Sequence, residues 1–237
     1  MAAPTGATAL DTRLFVAPAL ATAVVEEHLV ALDLSAGEYA VFDRVATRVW
    51  HRLISEPPSR SSATEFAEML GAELPVVEHD TLVFSEAQIR DGRLTRSPPP
   101  RPGGPARPVP RLPAFVGCAW WFRLRADQLL KRSFAEAYRV MAVPAAHISE
   151  PRMSLAAVLA RFGTAENLYP SRRAPLDCLP RSLALTRFLR CAGWPAEHVI
   201  GVRLFPFEAH AWVEVDDAPV YERSDIGDIY TVIHRQP

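Results

Sequence analysis

The hydrophobic pattern opens with three short runs, "LFVAP", "AVVEEHLVALDL" and "EYAVFD". Their valine, leucine and aromatic content favours strands, and "SAG" before Glu38 is a turn signal. The period then changes. Val45, Val49, Leu53 and Ile54 recur at helical spacing, which predicts a helix over 44–54 with Asp43 as its cap. "SSATEFAEML" predicts a second helix, with Gly71 just past its end. "SEAQIRDGRL" predicts a third, shorter one ending near Gly92. Together these predict a small three-stranded sheet with helices packed on it. His28, His51 and His79 are scattered through this part and form no catalytic cluster.

A stretch without periodicity follows. Residues 97–113, "SPPPRPGGPARPVPRLP", hold eight prolines and two adjacent glycines. Proline lacks an amide donor and Gly-Gly is costly to order, so this segment reads as an extended linker. The expected division is a module at 1–95, a linker at 96–113 and a second domain at 114–237. Beyond the linker, residues 119–141 and 154–162 place aliphatic and aromatic side chains at helical spacing. Trp120, Trp121 and Phe122 read as packing rather than as a cofactor box. "CLPRSLALTRFLRCAGWP" predicts another helix, ended by Gly193 and Pro195. "EHVIGVRLF" and "HAWVEVDDAPVYE" predict strands. Helices followed by an antiparallel sheet point to an α+β fold.

Composition and charge narrow the class. Half-apolar composition over 237 residues sustains a real core. No basic segment with a following apolar run opens the chain, and no apolar stretch approaches the roughly 20 residues of a membrane span. Neither a secretory signal nor a membrane partner is expected. Cys118, Cys178 and Cys191 are odd in number and lack zinc-like spacing, so no metal site is expected. On one helix Cys178 and Cys191 would lie on the order of 20 Å apart, too far to bridge. A reducing, cytoplasmic setting fits. Charge is uneven: residues 1–95 carry a net −7, residues 96–190 a net +11 and residues 191–237 a net −5. The basic middle could attract acidic peptide or phosphate, but it reads first as a solvated linker and exposed helix faces. No nucleic-acid partner is expected.

The chemistry concentrates at Cys178. Asp177 is a good N-cap and Pro180 is tolerated in a first helical turn, which puts the thiol at the positive end of a helix. Exposed amides there favour a thiolate, the nucleophilic form. Arg181 adds positive charge one turn on. The candidate base is His210 in "EAHAWVEV". Strand alternation puts His210, Trp212 and Glu214 on one face and Ala211, Val213 and Val215 on the other, with the aliphatic set in the core. A base histidine needs an orienting acid. After the "DDAP" turn, Glu222 faces His210 if the turn takes three residues, and faces away if it takes two. Asp225 and Asp228 are the alternatives.

"CLPRSLALTRFLRCAGWPAEHVIGVR" and "AHAWVEVDD" resemble the transglutaminase-like B proteins of lasso peptide biosynthesis over about residues 150–225. The resemblance implies a leader peptidase of papain-like logic, with a cysteine peptidase domain of helices packed on an antiparallel sheet. It implies a ribosomal precursor peptide as substrate and an asparagine-synthetase-like lasso cyclase as partner. The family's catalytic Cys and His fall on Cys178 and His210, and its Asp falls on Glu222, a departure that adds a methylene. The N-terminal half, through "LVALDLSAGEYAVFDRVATRVW", is similar to PqqD-like winged helix-turn-helix modules. That implies leader binding by strand addition near Glu38–Phe42, with Tyr39, Val41 and Phe42 as contacts. No cofactor is evident; ATP enters by the resemblance alone, since "RPGGPAR" is not a phosphate-binding loop. Two other readings share these residues: a transamidase, in which an amine resolves the acyl-enzyme, and a non-catalytic scaffold that delivers the precursor to a cyclase.

Overall fold

The structure is a computed structural model. It describes residues 13–55, 60–99, 112–142, 150–170 and 177–237. The chain divides into two compact units, Met1–Asp33 with Tyr39–Pro102, and Leu34–Glu38 with Gly103–Pro237. The expected linker lies largely outside the described residues.

In the first unit, β1 (Phe15–Val16) pairs with β5 (Leu94–Thr95). A separate sheet has the order β2 (Leu20–Val25), β3 (His28–Asp33), β4 (Glu38–Phe42). The three expected strands are thus not the three that pair. "AVVEEHLVALDL" breaks at Glu26 and Glu27, whose left-handed φ values of 48° and 67° make a two-residue hairpin turn. Glycine or asparagine normally marks such a turn, so two glutamates gave no signal for it.

Helix α1 (Arg44–Ile54) runs as the spacing predicts. The Asp43 carboxylate accepts from the Ala46 amide at 2.8 Å. Thr47 then fixes the helix on the sheet, accepting from the Leu29 amide at 2.8 Å. Helix α2 (Arg60–Leu70) ends at Gly71, φ +66°. Helix α3 is a correction: it covers Leu74–Arg90, not only its second half. Exposed Val76 and Val83 blur its periodicity. Trp50 is the buried centre of this unit, among Leu29, Val49, Leu53, Phe66 and Leu94.

The second unit supplies α4 (Val116–Leu130), α5 (Phe134–Met141), α6 (Leu155–Leu168) and α7 (Cys178–Ala192). The sequence predicts one helix over 119–141. The structure breaks it, because the Ser133 hydroxyl accepts from the Glu136 amide and starts a new helix. Phe122 is buried as expected, but Trp121 is exposed. Behind the helices stands an antiparallel sheet. Its strands are β6 (Ala196–Arg203), β7 (Glu208–Val215), β8 (Ala218–Val220) and β9 (Thr231–Gln236), in the order β8-β7-β6-β9. A short α8 (Ile226–Ile229) precedes β9. Helix α7 packs on α4, α6 and β7. It ends in a left-handed Gly193, φ +95°, with Trp194 N–H bonded to Leu189 O and Gly193 N–H to Arg190 O. That is the Schellman pattern.

His198 pins the sheet to the helices. It is fully buried, with Tyr138 Oη 2.7 Å from Nδ1 and Ser182 Oγ 2.8 Å from Nε2. Burial, helped by nearby Arg190 and His234, pushes its pKa down to about 3. Between about 3 and the usual 6.5 the unfolded chain therefore binds a proton that the folded chain refuses. Stability held above pH 6.5 should fall on acidification through that window. His198→Gln should flatten this slope, read by urea denaturation at several pH values; an unchanged slope would remove His198 as its source.

No helix among the described residues is long and apolar enough to cross a membrane.

Candidate active site

Cys178 is the first residue of α7. Asp177 stands at the cap position but does not cap. Its backbone (φ −100°, ψ 6°) is not extended, and its side chain makes no capping bond. This corrects the expectation from sequence. The carboxylate turns instead toward α4, where Asp177 Oδ2 lies 3.6 Å from Arg123 Nη2.

His210 lies on β7 opposite Gly201 of β6. Its ring packs against two aromatic neighbours, with centroids 5.4 Å from Tyr230 and 6.2 Å from Trp212. Trp212, Val199, Ile226 and Tyr230 form a buried cluster behind it. The expectation that only the aliphatic face of β7 is core is corrected here. Trp212 and Glu214 are as buried as Ala211, Val213 and Val215. Glu214 tolerates burial because it accepts from Trp212 Nε1 at 2.8 Å and pairs with Arg235. Gly201 gives the ring its room. A Cβ there would lie 2.7 Å from the Trp212 ring and 2.8 Å from Tyr230 Cβ. Gly201→Ala should cost about 1–3 kcal/mol by overpacking. A melting temperature within a degree of wild type would contradict so tight a fit.

The acid is Glu222. His210 Nε2–H donates to Glu222 Oε2 at 2.9 Å, and Arg181 Nη2 lies 3.7 Å from the same oxygen. The other oxygen accepts from the Arg223 amide. A carboxylate only accepts, so Nε2 carries a proton in this pair. The hydrogen bond to Cys178 is the largest cause raising the His210 pKa; burial opposes it, and Glu222 adds to the rise.

Neither register weighed from sequence describes how Glu222 gets there. The turn takes two residues, Asp216 and Asp217, with φ 52° and 60°. Val215 pairs with Ala218 and Val213 with Val220, so a continued strand would set Glu222 opposite Ala211, facing away. Tyr221 intervenes. Its left-handed φ of 59° ends the strand and returns Glu222 to the His210 side. The Tyr221 ring stands edge-on to Phe162 of α6.

Asp225 is not at the histidine: both of its oxygens engage Arg223, at 2.9 and 2.7 Å. Asp228 is exposed on α8. In the first unit, Val41 is exposed on β4 and Tyr39 half-buried. Phe42 turns inward onto Trp50 and Phe84. All three cysteines are free, and burial pushes the Cys191 thiol up. Sequence reasoning missed Arg123 and Tyr230. Nothing in "AWWFRLRAD" marks Arg123 as buried, and Tyr230 reaches His210 only through the pairing of β9 with β6.

The family model described as the transglutaminase-like superfamily matches residues 114–235, just over half of the chain. The chain is also similar to the microcin J25-processing protein McjB of Escherichia coli, 42% identical over 57 residues. That match covers 24% of this chain and 27% of McjB, so it spans about a quarter of the relative. No solved structure matches the chain. Cys178, His210 and Glu222 all fall within the matched span, and on that span the chain belongs to the transglutaminase-like superfamily.

Proposed function

We propose that this chain is a leader peptidase of lasso peptide biosynthesis, with a Cys178–His210–Glu222 triad. The observation that carries it is the His210 imidazole on the Glu222 carboxylate at 2.9 Å, and the upward shift of the His210 pKa, whose largest cause is Cys178, supports it. Partial similarity to a microcin J25-processing protein supports the substrate class.

His210 Nδ1 accepts the thiol proton as Cys178 Sγ bonds to the peptide carbonyl carbon. The C–N bond breaks as His210 returns that proton to the leaving amine. A thioester remains on Cys178. Water, losing a proton to His210, attacks it; the C–S bond breaks, the thiol is restored and the leader leaves as a carboxylic acid. Glu222 holds the ring in one tautomer throughout. Trp212 and Tyr230 wall one side of the imidazole from water. The released amine would pass to an asparagine-synthetase-like cyclase.

The N-terminal unit would be the leader-recognition module. Its support is that β4 is one of the two outer strands of its sheet among the described residues, with Val41 exposed. Val41→Asp should then raise the apparent Kd for the precursor about tenfold while kcat at saturation holds. A lowered kcat with unchanged Kd would count against strand addition there.

The direct test is incubation with a candidate precursor, followed by mass spectrometry. Two fragments summing to the precursor plus one water are expected. An adduct with an added amine would make the chain a transamidase, and an intact precursor under all conditions, ATP included, would overturn the peptidase reading.

A further inference from the structure

Arg123 is almost wholly buried, yet it touches neither Cys178 nor His210. Its guanidinium is held among three carboxylates: Asp127 at 2.5 Å, Glu166 at 3.2 Å and Asp177 at 3.6 Å. The Nε–Glu166 approach is not aligned as a hydrogen bond, so that contact is Coulombic. The Tyr169 ring lies under the guanidinium at 4.7 Å, and its hydroxyl donates to Asp127. Helices α4 and α6 thus converge on the residue immediately before the proposed nucleophile.

The start of α7 is built unlike those of α1, α5 and α6, and shares its uncapped, non-extended aspartate only with the one-turn α8, at Asp225, among the described helices. Asp43, Ser133 and Ser154 have extended backbones, and each side chain accepts from a first-turn amide. Asp177 does neither. Its Oδ1 is buried without a donor among the described residues, and its Oδ2 faces Arg123. The first intrahelical bond is Arg181 N–H to Asp177 O, and Pro180 has no N–H. Among the described residues, the Cys178 and Leu179 amides are left without an intrahelical acceptor in this first turn. A capping side chain normally bonds the N2 or N3 amide. With proline at N3, the Asp177 carboxylate could take only Leu179.

We propose that Arg123 is a positioning residue that draws the Asp177 carboxylate off the start of α7, keeping the Leu179 amide open, beside that of Cys178, to the oxyanion formed when Cys178 attacks a peptide carbonyl. The inference rests on the peptidase reading above. A capping carboxylate would compete with the oxyanion for the Leu179 donor, and preorganised donors act only if nothing else occupies them. Arg123 removes the competitor without contacting substrate. The three carboxylates around one cation hold that cation in place and leave it no route to the reacting atoms.

The test compares Asp177→Ser with Asp177→Ala. Serine offers a capping oxygen too short to reach Arg123; alanine offers none. If the Leu179 amide must stay open, the Ser variant has a kcat about 10- to 100-fold below the Ala variant, with little change in KM. A purely structural Arg123–Asp177 pair would impair both alike. Arg123→Gln should lower kcat by freeing Asp177 to cap, and adding Asp177→Ala to it should restore part of the loss. If Arg123→Gln does not fold, the Ser–Ala comparison decides alone. Amide hydrogen exchange at Leu179, followed by NMR, reads the cap without any turnover. It should be slower in Asp177→Ser than in wild type. A Ser variant as fast as the Ala variant, or with Leu179 exchange unslowed, overturns the proposal. Failure of wild type to cleave would instead remove the peptidase reading, with the exchange result still judging the cap.

Discussion

Cys178→Ala is expected to leave precursor binding intact and to cut the cleavage rate by about 10⁴-fold or more. The estimate follows from removing one member of a group that acts as a unit, in which the loss approaches the whole covalent contribution. The substitution should be well tolerated: Cys178 is only partly buried, and alanine is the best helix former. Binding is read by fluorescence anisotropy with a labelled precursor, and cleavage by mass spectrometry of the same samples. Turnover above about one per cent of wild type, in protein free of wild-type contamination, would rule out Cys178 as the nucleophile.

The second large effect is expected at Glu222. Glutamine is nearly isosteric, but its amide can donate to His210 Nε2. That would move the ring proton to Nδ1, where the base must be bare. The expected loss is about 10²- to 10⁴-fold in kcat. The His210 pKa supplies an independent reading. Glu222 is one of the groups raising it, so Glu222→Gln should lower it, while the larger cause, Cys178, remains. Imidazole NMR titration measures this directly, and an unmoved pKa would contradict the hydrogen bond to Glu222. The raised value also sets a stability window. Protonation is favoured in the folded state, so the pair's contribution is fully present below the usual 6.5 and lost as pH rises through the folded value.

Local signals were legible in the sequence. Asp43 and the Val45–Val49–Leu53 spacing define α1, Gly193 and Pro195 define the end of α7, and "DCLP" places the thiol at a helix start. Non-local choices were not. Ser133 caps a helix in the middle of an unbroken apolar pattern, because the pattern carries no mark of a change in helix direction. Asp177 has the residue type and position of a cap, and only a cation 54 positions earlier draws it away. Pairing the β7–β8 turn with strand parity leaves two positions for Glu222. Both assume a regular strand, which Tyr221 breaks.

A left-handed tyrosine costs about 1–2 kcal/mol relative to ordinary backbone, and its ring contact with Phe162 helps offset that cost. The Glu222 carboxylate is therefore set like the end of a crank, by one torsion and one aromatic bearing, and not like a rung counted along a ladder. The reach of the carboxylate becomes separable from the pairing of the strands. The backbone turn at Tyr221 sets the origin of the Glu222 side chain without shifting the sheet.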